Sequence, residues 1–300
     1  MITYRQRMIE DMQLHGYSER TQEAYSRAVR QLVEYAKKNP SQITEDDLRQ
    51  YFLYTKNVKK WSATAFKIAI SGIKFFFTYT LKREWTTLKL AQPQKENKLP
   101  VVLTQQEIQR IFSHIRLFRY RACLFTIYST GLRLNEGTHL QVKDIDSSRM
   151  LIHVHRGKGA KDRYVPLPKE TLVLLRDFWK THRNKVWIFP APGRGGAGMS
   201  SADRPISNNS VQDAFRAALK ESGINKKARV HTLRHSYATH LLEKGISLRL
   251  LQDYLGHSTP VSTARYAHLT QNTLHAAKNS IDNLMDGFFK NEDASHGSNG

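Results

Sequence analysis

The sequence predicts a mainly α-helical protein of two domains, with a small β-sheet confined to the second. Three observations carry this. Apolar residues recur at three- and four-residue spacing through the first hundred residues and through most of the remaining chain. A polar stretch bracketed by prolines, residues 91–101, breaks that spacing and separates a domain over residues 1–90 from one over residues 102–290. From Leu151 to Leu167 the spacing changes, with β-branched residues alternating around a Gly-Lys-Gly turn, as in a hairpin with a basic tip. The length of 300 residues also reaches the size at which one hydrophobic core stops growing.

The elements follow in order. Gly16, Tyr17 and Ser18 read as a turn and a helix start, and Tyr25, Ala28, Val29, Leu32 and Ala36 then repeat at helical spacing. Thr44 with Asp47 resembles a capping box ahead of Leu48, Tyr51 and Phe52. Ser62 opens a long helix through Ile68, Ile73, Phe76 and Phe77. Thr104 with Glu107 gives a second capping box, which starts the second domain. Thr232 reads as an N-cap and Gly245 as the residue past the end of a helix that holds His231 and Arg234 near its N-terminus. Ser247 to Leu255 is a short helix stopped at Gly256-His257, and Pro260 restarts a helix that delivers Arg265 and Tyr266. Residues 273–289 form a short amphipathic helix, residues 192–204 a mobile loop, and residues 291–300 a disordered tail. No internal repeat is present.

Composition narrows the class of function. Against 47 Lys+Arg stand 26 Asp+Glu, a net charge of +21. Such an excess repels itself in a compact chain and calls for a polyanionic partner. The excess is uneven: residues 1–50 hold 8 basic and 8 acidic residues, and residues 51–98 hold 10 basic and 2 acidic. Lys59, Lys60, Lys67 and Lys74 fall in the acid-poor stretch, either as a solvated face or as a DNA-facing surface. One cysteine excludes a disulfide framework and a cysteine-rich zinc site. With no membrane-length apolar run and no signal peptide, the reading is a cytoplasmic nucleic-acid-binding protein.

Four segments place polar groups where packing alone does not need them. Arg133 and Glu136 sit in GLRLNE, beside apolar Leu124, Ile127 and Leu140; an arginine there serves either as a salt-bridged surface residue or as a functional one. The hairpin tip carries Arg156, Lys158, Lys161 and Arg163, suited to phosphate contacts or, for a lysine, to proton donation. HTLRHSYATHLL puts His231 and Arg234 at a helix N-terminus, where free N–H groups already favour an anion. His257 and Tyr266 follow in LLQDYLGHS and TARYAHL, where a tyrosine also serves as ordinary packing. His231, His235 and His240 have roughly ligand-like spacing, but no carboxylate or cysteine accompanies them, so metal catalysis is not expected. No P-loop pattern is present, and no cofactor is expected.

The ordered set GLRLNE, GKGAKDRYVPL, HTLRHSYATHLL, LLQDYLGHS and TARYAHL closely resembles the tyrosine recombinase (phage integrase) family over about residues 102–270, and GYSERTQEAYSRAV resembles the opening of its helical core-binding domain. The resemblance implies a helical core-binding, SAM-like domain over residues 1–90 and a tyrosine recombinase catalytic domain over residues 102–290. It also implies site-specific DNA cutting and rejoining through a 3′-phosphotyrosyl intermediate and a Holliday junction, without metal or ATP. By the family's pattern Arg133, Lys158, His231, Arg234, His257 and the nucleophile Tyr266 are catalytic and Glu136 supports them; Lys161 competes with Lys158 as the general acid. Lys59, Lys60, Lys67, Lys74, Arg156, Lys161 and Arg163 are expected on DNA. Gly137-Thr138, poor helix formers, depart from the pattern and are expected to loosen the helix next to Arg133.

The implied partners are double-stranded recombination sites and three further copies of the chain, with residues 273–289 docking either in trans on a neighbouring copy, as in the family, or in cis on their own domain. The simple two-domain, Xer-like members fit best. A type IB topoisomerase, relaxing DNA by the same chemistry, and a catalytically silent DNA-binding accessory protein are the alternatives.

Overall fold

A computed structural model of the chain describes residues 3–83, 100–155, 162–193 and 198–256. The chain divides into two compact units between Lys98 and Leu99.

In the first unit, α1 (Tyr4–Leu14) starts at Thr3, whose Oγ1 accepts from the Gln6 N–H. Next come α2 (Glu19–Ala36), α3 (Glu45–Asn57) and α4 (Ala63–Phe75), and α4 runs on into a π-helical turn over Phe76–Thr80. The Thr44 capping box is complete, with the Thr44 N–H on Asp47 Oδ2 at 2.9 Å and the Asp47 N–H on Thr44 Oγ1 at 3.2 Å. Met8, Met12, Leu32, Leu48, Ile73, Phe76 and Phe77 close the core. Ile68 departs from the expected stripe and is 41% exposed. Five residues separate it from Ile73, which turns the two side chains about 140° apart on a helix, so they cannot share a buried face.

The second unit contains α5 (Gln105–Ser113), α6 (Phe118–Thr130), α7 (Leu134–Thr138), α8 (Lys169–Lys180), α9 (Asn208–Glu221), α10 (Val230–Glu243) and α11 (Leu248–Leu255). A three-stranded antiparallel sheet of β1 (Ile145–Asp146), β2 (Leu151–Val154) and β3 (Arg163–Pro166) lies between α7 and α8 in the chain. The hairpin legs pair Ile152 with Val165 and Val154 with Arg163, and Ile152 and Val165 face the core. β1 is too short to show an alternation in sequence, and it adds an edge to the expected hairpin. Helix α6 is the central post, with Ala122, Cys123, Leu124 and Ile127 buried and α7, α8, α9 and α10 packed around it. Among the described residues no helix is long and apolar enough to cross a membrane.

Two expectations are corrected here. Gly137 and Thr138 fasten α7 instead of loosening it. A Cβ on Gly137 would lie 2.5 Å from Ile127 Cγ1 on α6, so only glycine allows this approach. Thr138 Oγ1 donates 2.7 Å to Asn208 Oδ1, at the start of α9. Gly137→Ala is therefore expected to lower unfolding stability by ~1–3 kcal/mol through overpacking, measured by urea titration. Residues 199–203, within the expected mobile loop, are also more fixed than their composition implies. The Asn184 side-chain amide donates to the carbonyls of Met199, Ser200 and Ala202, and the Trp187 indole N–H to that of Asp203 at 3.0 Å.

Candidate active site

The site is built where three chain segments meet strand β3. The first is the junction of α6 and α7. Gly131 ends α6 in the left-handed region, at φ 64°, and Arg133 stands as the N-cap of α7. Glu136, three residues on, accepts the Arg133 backbone N–H at 2.8 Å and the Arg133 Nη1 at 2.7 Å. The same carboxylate takes both ends of the Arg163 guanidinium from β3, with Nη1 at 3.0 Å and Nη2 at 2.7 Å. A planar fork on a planar carboxylate fixes orientation as well as distance.

The second segment is α10. It begins at Val230, three residues before the expected start, because Thr232 is the third helical residue of a capping box and not the cap: its Oγ1 accepts the Arg229 N–H at 3.0 Å. The first turn then presents His231, whose ring lies 4.5 Å from that of His235, and sends Arg234 inward, where the residue is 1% exposed. Arg234 donates to the Gly131 carbonyl at 2.6 Å and to the Leu255 carbonyl at 2.5 Å.

The third segment is the end of α11. Arg133 Nη2 donates to the Gly256 carbonyl at 3.0 Å, next to the Leu255 carbonyl that Arg234 uses, and Arg163 Nε donates to the Tyr254 carbonyl at 2.9 Å. Three arginines from three segments thus hold three successive carbonyls of the backbone that leads into His257. Gly256 makes this possible twice over. Its φ is 59°, and a Cβ there would lie 2.8 Å from Arg163 Cδ.

Three guanidiniums and one carboxylate leave a formal charge of +2 among Arg133, Arg163, Arg234 and Glu136, which is the electrostatics of an anion site. Burial works against ionisation of Glu136, but the hydrogen bond and charge of Arg163, joined by the Arg133 N–H and guanidinium, outweigh it and bring its pKa from 4.5 to about 2. A carboxyl with a depressed folded-state pKa stabilises the fold above its unfolded pKa and loses that contribution as pH falls toward the folded value. Urea titrations of wild type and Glu136→Gln are therefore expected to differ at neutral pH. The gap is expected to narrow from about pH 4.5 down to about pH 2.

The structure brings Arg133, Glu136 and Arg234 together, with His231 one helical turn from Arg234. Arg163 is corrected: with 9% of its side chain exposed, and its donors on Glu136 and Tyr254, it is an internal brace of the site and not a DNA contact. Its strand position held the signal, since residue 163 shares a face with buried Val165 while Tyr164 points outward. Lys59, Lys60, Lys67 and Lys74 are all exposed, and Lys67 and Lys74, seven residues apart, lie on one face of α4. Arg156, Lys158, Lys161, His257, Tyr266, residues 273–289 and the tail lie outside the described residues. The carbonyls of Gly131, Leu255 and Gly256 escaped the sequence reading because backbone acceptors leave no trace in residue type.

Comparison with known proteins decides the family. The model of the phage integrase family matches residues 101–273, and that of the phage integrase N-terminal SAM-like domain matches residues 4–87. The chain belongs to the phage integrase family. It is a tyrosine recombinase, an enzyme that breaks and rejoins DNA in site-specific recombination. Among its relatives, an integrase/recombinase of Sinorhizobium fredii is 38% identical over 285 residues, covering 95% of this chain and 90% of the relative. The tyrosine recombinase XerD of Oceanobacillus iheyensis is 30% identical over 268 residues, covering 85% of this chain and 90% of the relative. Among solved structures, a lambda integrase dimer bound to a COC′ core site matches with a TM-score of 0.71 at 18% identity, over 88% of this chain and 93% of that one, a likeness of fold.

Proposed function

We propose that this recombinase cleaves one strand of its site by attack of the Tyr266 phenol oxygen on a backbone phosphorus, with Arg133 and Arg234 on the nonbridging oxygens. The observation that carries this reading is the pair of arginines bonded to the carbonyls of Leu255 and Gly256, the two residues before His257. The transition state gains charge on those oxygens, and fixed guanidiniums stabilise it without reorganising. A free tyrosine has a pKa of ~10, so Tyr266 gives up its proton at or before attack, with His231 assisting. The P–O5′ bond breaks as the new P–O bond forms. Lys158 supplies the proton to the leaving 5′ oxygen, and His257 hydrogen-bonds a phosphate oxygen.

Glu136 and Arg163 are positioning residues, acting through Arg133. Lys59, Lys60, Lys67, Lys74, Arg156 and Lys161 contact the DNA backbone, where each phosphate contact releases counterions and steepens salt dependence. The 3′-phosphotyrosyl link keeps the energy of the broken bond, so a free 5′-hydroxyl can reseal it without ATP. Two rounds of exchange through a Holliday junction, in a tetramer that docks residues 273–289 in trans, complete the reaction. A chain with one cysteine, buried as Cys123, acting on DNA suits the bacterial cytoplasm.

The test is trapping on nicked duplexes drawn from DNA flanking the gene, in EDTA. A denaturation-resistant protein–DNA band is expected. Salt-sensitive binding with no band on any duplex overturns the reading in favour of a binding-only protein. Substrates with a sulfur leaving group at the bridging 5′ position need no proton donor, so they are expected to rescue Lys158→Ala and not Arg133→Ala. Rescue of Lys161→Ala in its place would move the general acid to Lys161.

A further inference from the structure

The hairpin carries a second cluster, on the face of the sheet turned away from the core. His153 and His155 are two residues apart on one leg, so they share a face, while Ile152 and Val154 between and beside them are buried. The register pairs Val154 with Arg163, so position 155 stands opposite Asp162. His153 Nε2 lies 3.2 Å from Asp162 Oδ2, and His155 Nδ1 lies 3.7 Å from the same oxygen. One donor atom from each of the three residues falls within 4.8 Å of the others. A tetrahedral zinc with bonds of ~2.0–2.1 Å sets its ligand atoms about 3.3 Å apart, so small side-chain rotations close this set around an ion.

A second observation separates the cluster from a chance meeting of surface side chains. The other nitrogen of His155, Nε2, donates 2.9 Å to Asp144 Oδ1. Asp144 is 7% exposed, and its second oxygen accepts the Gln141 backbone N–H at 2.9 Å. A buried, anchored carboxylate on the far nitrogen keeps the proton on Nε2, which turns the Nδ1 lone pair toward Asp162. This is the outer-shell arrangement that orients metal-bound histidines and raises their basicity. His153 is steadied by stacking on the Tyr164 ring, 4.7 Å between centroids.

We propose that His153, His155 and Asp162 bind one divalent transition-metal ion of the zinc class, with Asp144 as the orienting carboxylate. Two imidazoles and a carboxylate favour zinc, cobalt or nickel over magnesium and calcium, which take oxygen ligands. Two of the ligands come from one hairpin leg and the third from the opposite leg, at the rung where residues 156–161 begin. The ion staples the legs at the mouth of the tip. If the staple tunes cleavage, it does so through the tip that holds Lys158, and that consequence alone rests on the function proposed above.

The test uses full-length, tag-free protein, stripped with EDTA and dialysed, without DNA. Titration with Co²⁺ is expected to raise the visible bands of a tetrahedral centre at one ion per chain, and Zn²⁺ to displace it. His153→Gln and His155→Gln are each expected to weaken binding by at least ~100-fold, and Asp144→Asn by ~10–100-fold. Metal-free melting curves show whether each variant is folded, and Asp162→Asn, at a half-exposed position, is the variant least exposed to misfolding. Absence of the Co²⁺ bands in wild type overturns the proposal. So does an affinity that both His153→Gln and His155→Gln leave unchanged. Trapping with and without Zn²⁺ reads the staple separately: binding with unchanged adduct yield upholds the metal site and removes its role at the tip.

Discussion

Tyr266→Phe is expected to abolish the covalent protein–DNA adduct while leaving DNA binding within about twofold of wild type. The substitution removes one atom, the phenol oxygen, and no other side chain is positioned by the sequence pattern to take its place. Loss of a nucleophile costs a covalent enzyme ~10⁴-fold or more, because the remaining electrostatic groups stabilise a transition state that can no longer form. Binding depends on other groups. In the proposed function the exposed lysines of the first unit contribute to the affinity and its salt slope, and a neutral-for-neutral change at Tyr266 releases no counterion. The measurement is adduct yield on nicked duplexes, beside filter binding at two salt concentrations. A band that persists in the Phe variant moves the nucleophile to another tyrosine. A wild-type band lost in EDTA and restored by Mg²⁺ but not by Zn²⁺ would put a metal ion into the chemistry, whereas restoration by Zn²⁺ would point to the hairpin site.

Much of this architecture is legible in the sequence because it is local. Thr44, Ser62 and Thr104 announce their helices through side chains that bond the backbone three residues on, and the Leu151–Leu167 alternation announces a hairpin. The site is legible in another way. No single residue of Arg133, Glu136, His231 or Arg234 proclaims a role; their order along the chain does. What stays hidden depends on distant partners. Arg163 reads as a DNA contact because it sits among basic residues, yet it is folded inward onto Glu136, which lies 27 residues earlier. Gly137 reads as a weak point until Ile127 is set against it, and Asn184 gives no hint that it holds Met199, Ser200 and Ala202. His153, His155 and Asp162 were open to the same strand logic that placed the hairpin, but recognising them needs the register, which a six-residue tip does not set in advance.

Glu136→Ala is expected to do more damage than its position outside the reacting groups implies. The carboxylate is 10% exposed and accepts four hydrogen bonds, from the Arg133 N–H and guanidinium and from both ends of the Arg163 fork. Removing it leaves two guanidiniums facing one another in a site with little water. Breaking a buried ion pair from one side costs ~3–5 kcal/mol, more than the pair itself contributes, because the stranded charge has lost its partner. For a unit of this size that corresponds to a fall in melting temperature of about 10 °C. Catalysis is expected to fall further than stability explains. Arg133 loses its anchor at Nη1 and keeps the Gly256 carbonyl at Nη2, so its fork is expected to turn away from the phosphate oxygens it holds in the proposed mechanism. A misplaced transition-state donor costs ~10²–10³-fold in rate. Glu136→Gln separates the two effects. It keeps an acceptor and the side-chain volume but loses the charge, so it is expected to recover part of the stability and little of the adduct yield at a temperature where both variants are folded. If Glu136→Gln cleaves like wild type while melting low, the carboxylate only holds the fold, and Arg133 is positioned by the Gly256 carbonyl alone.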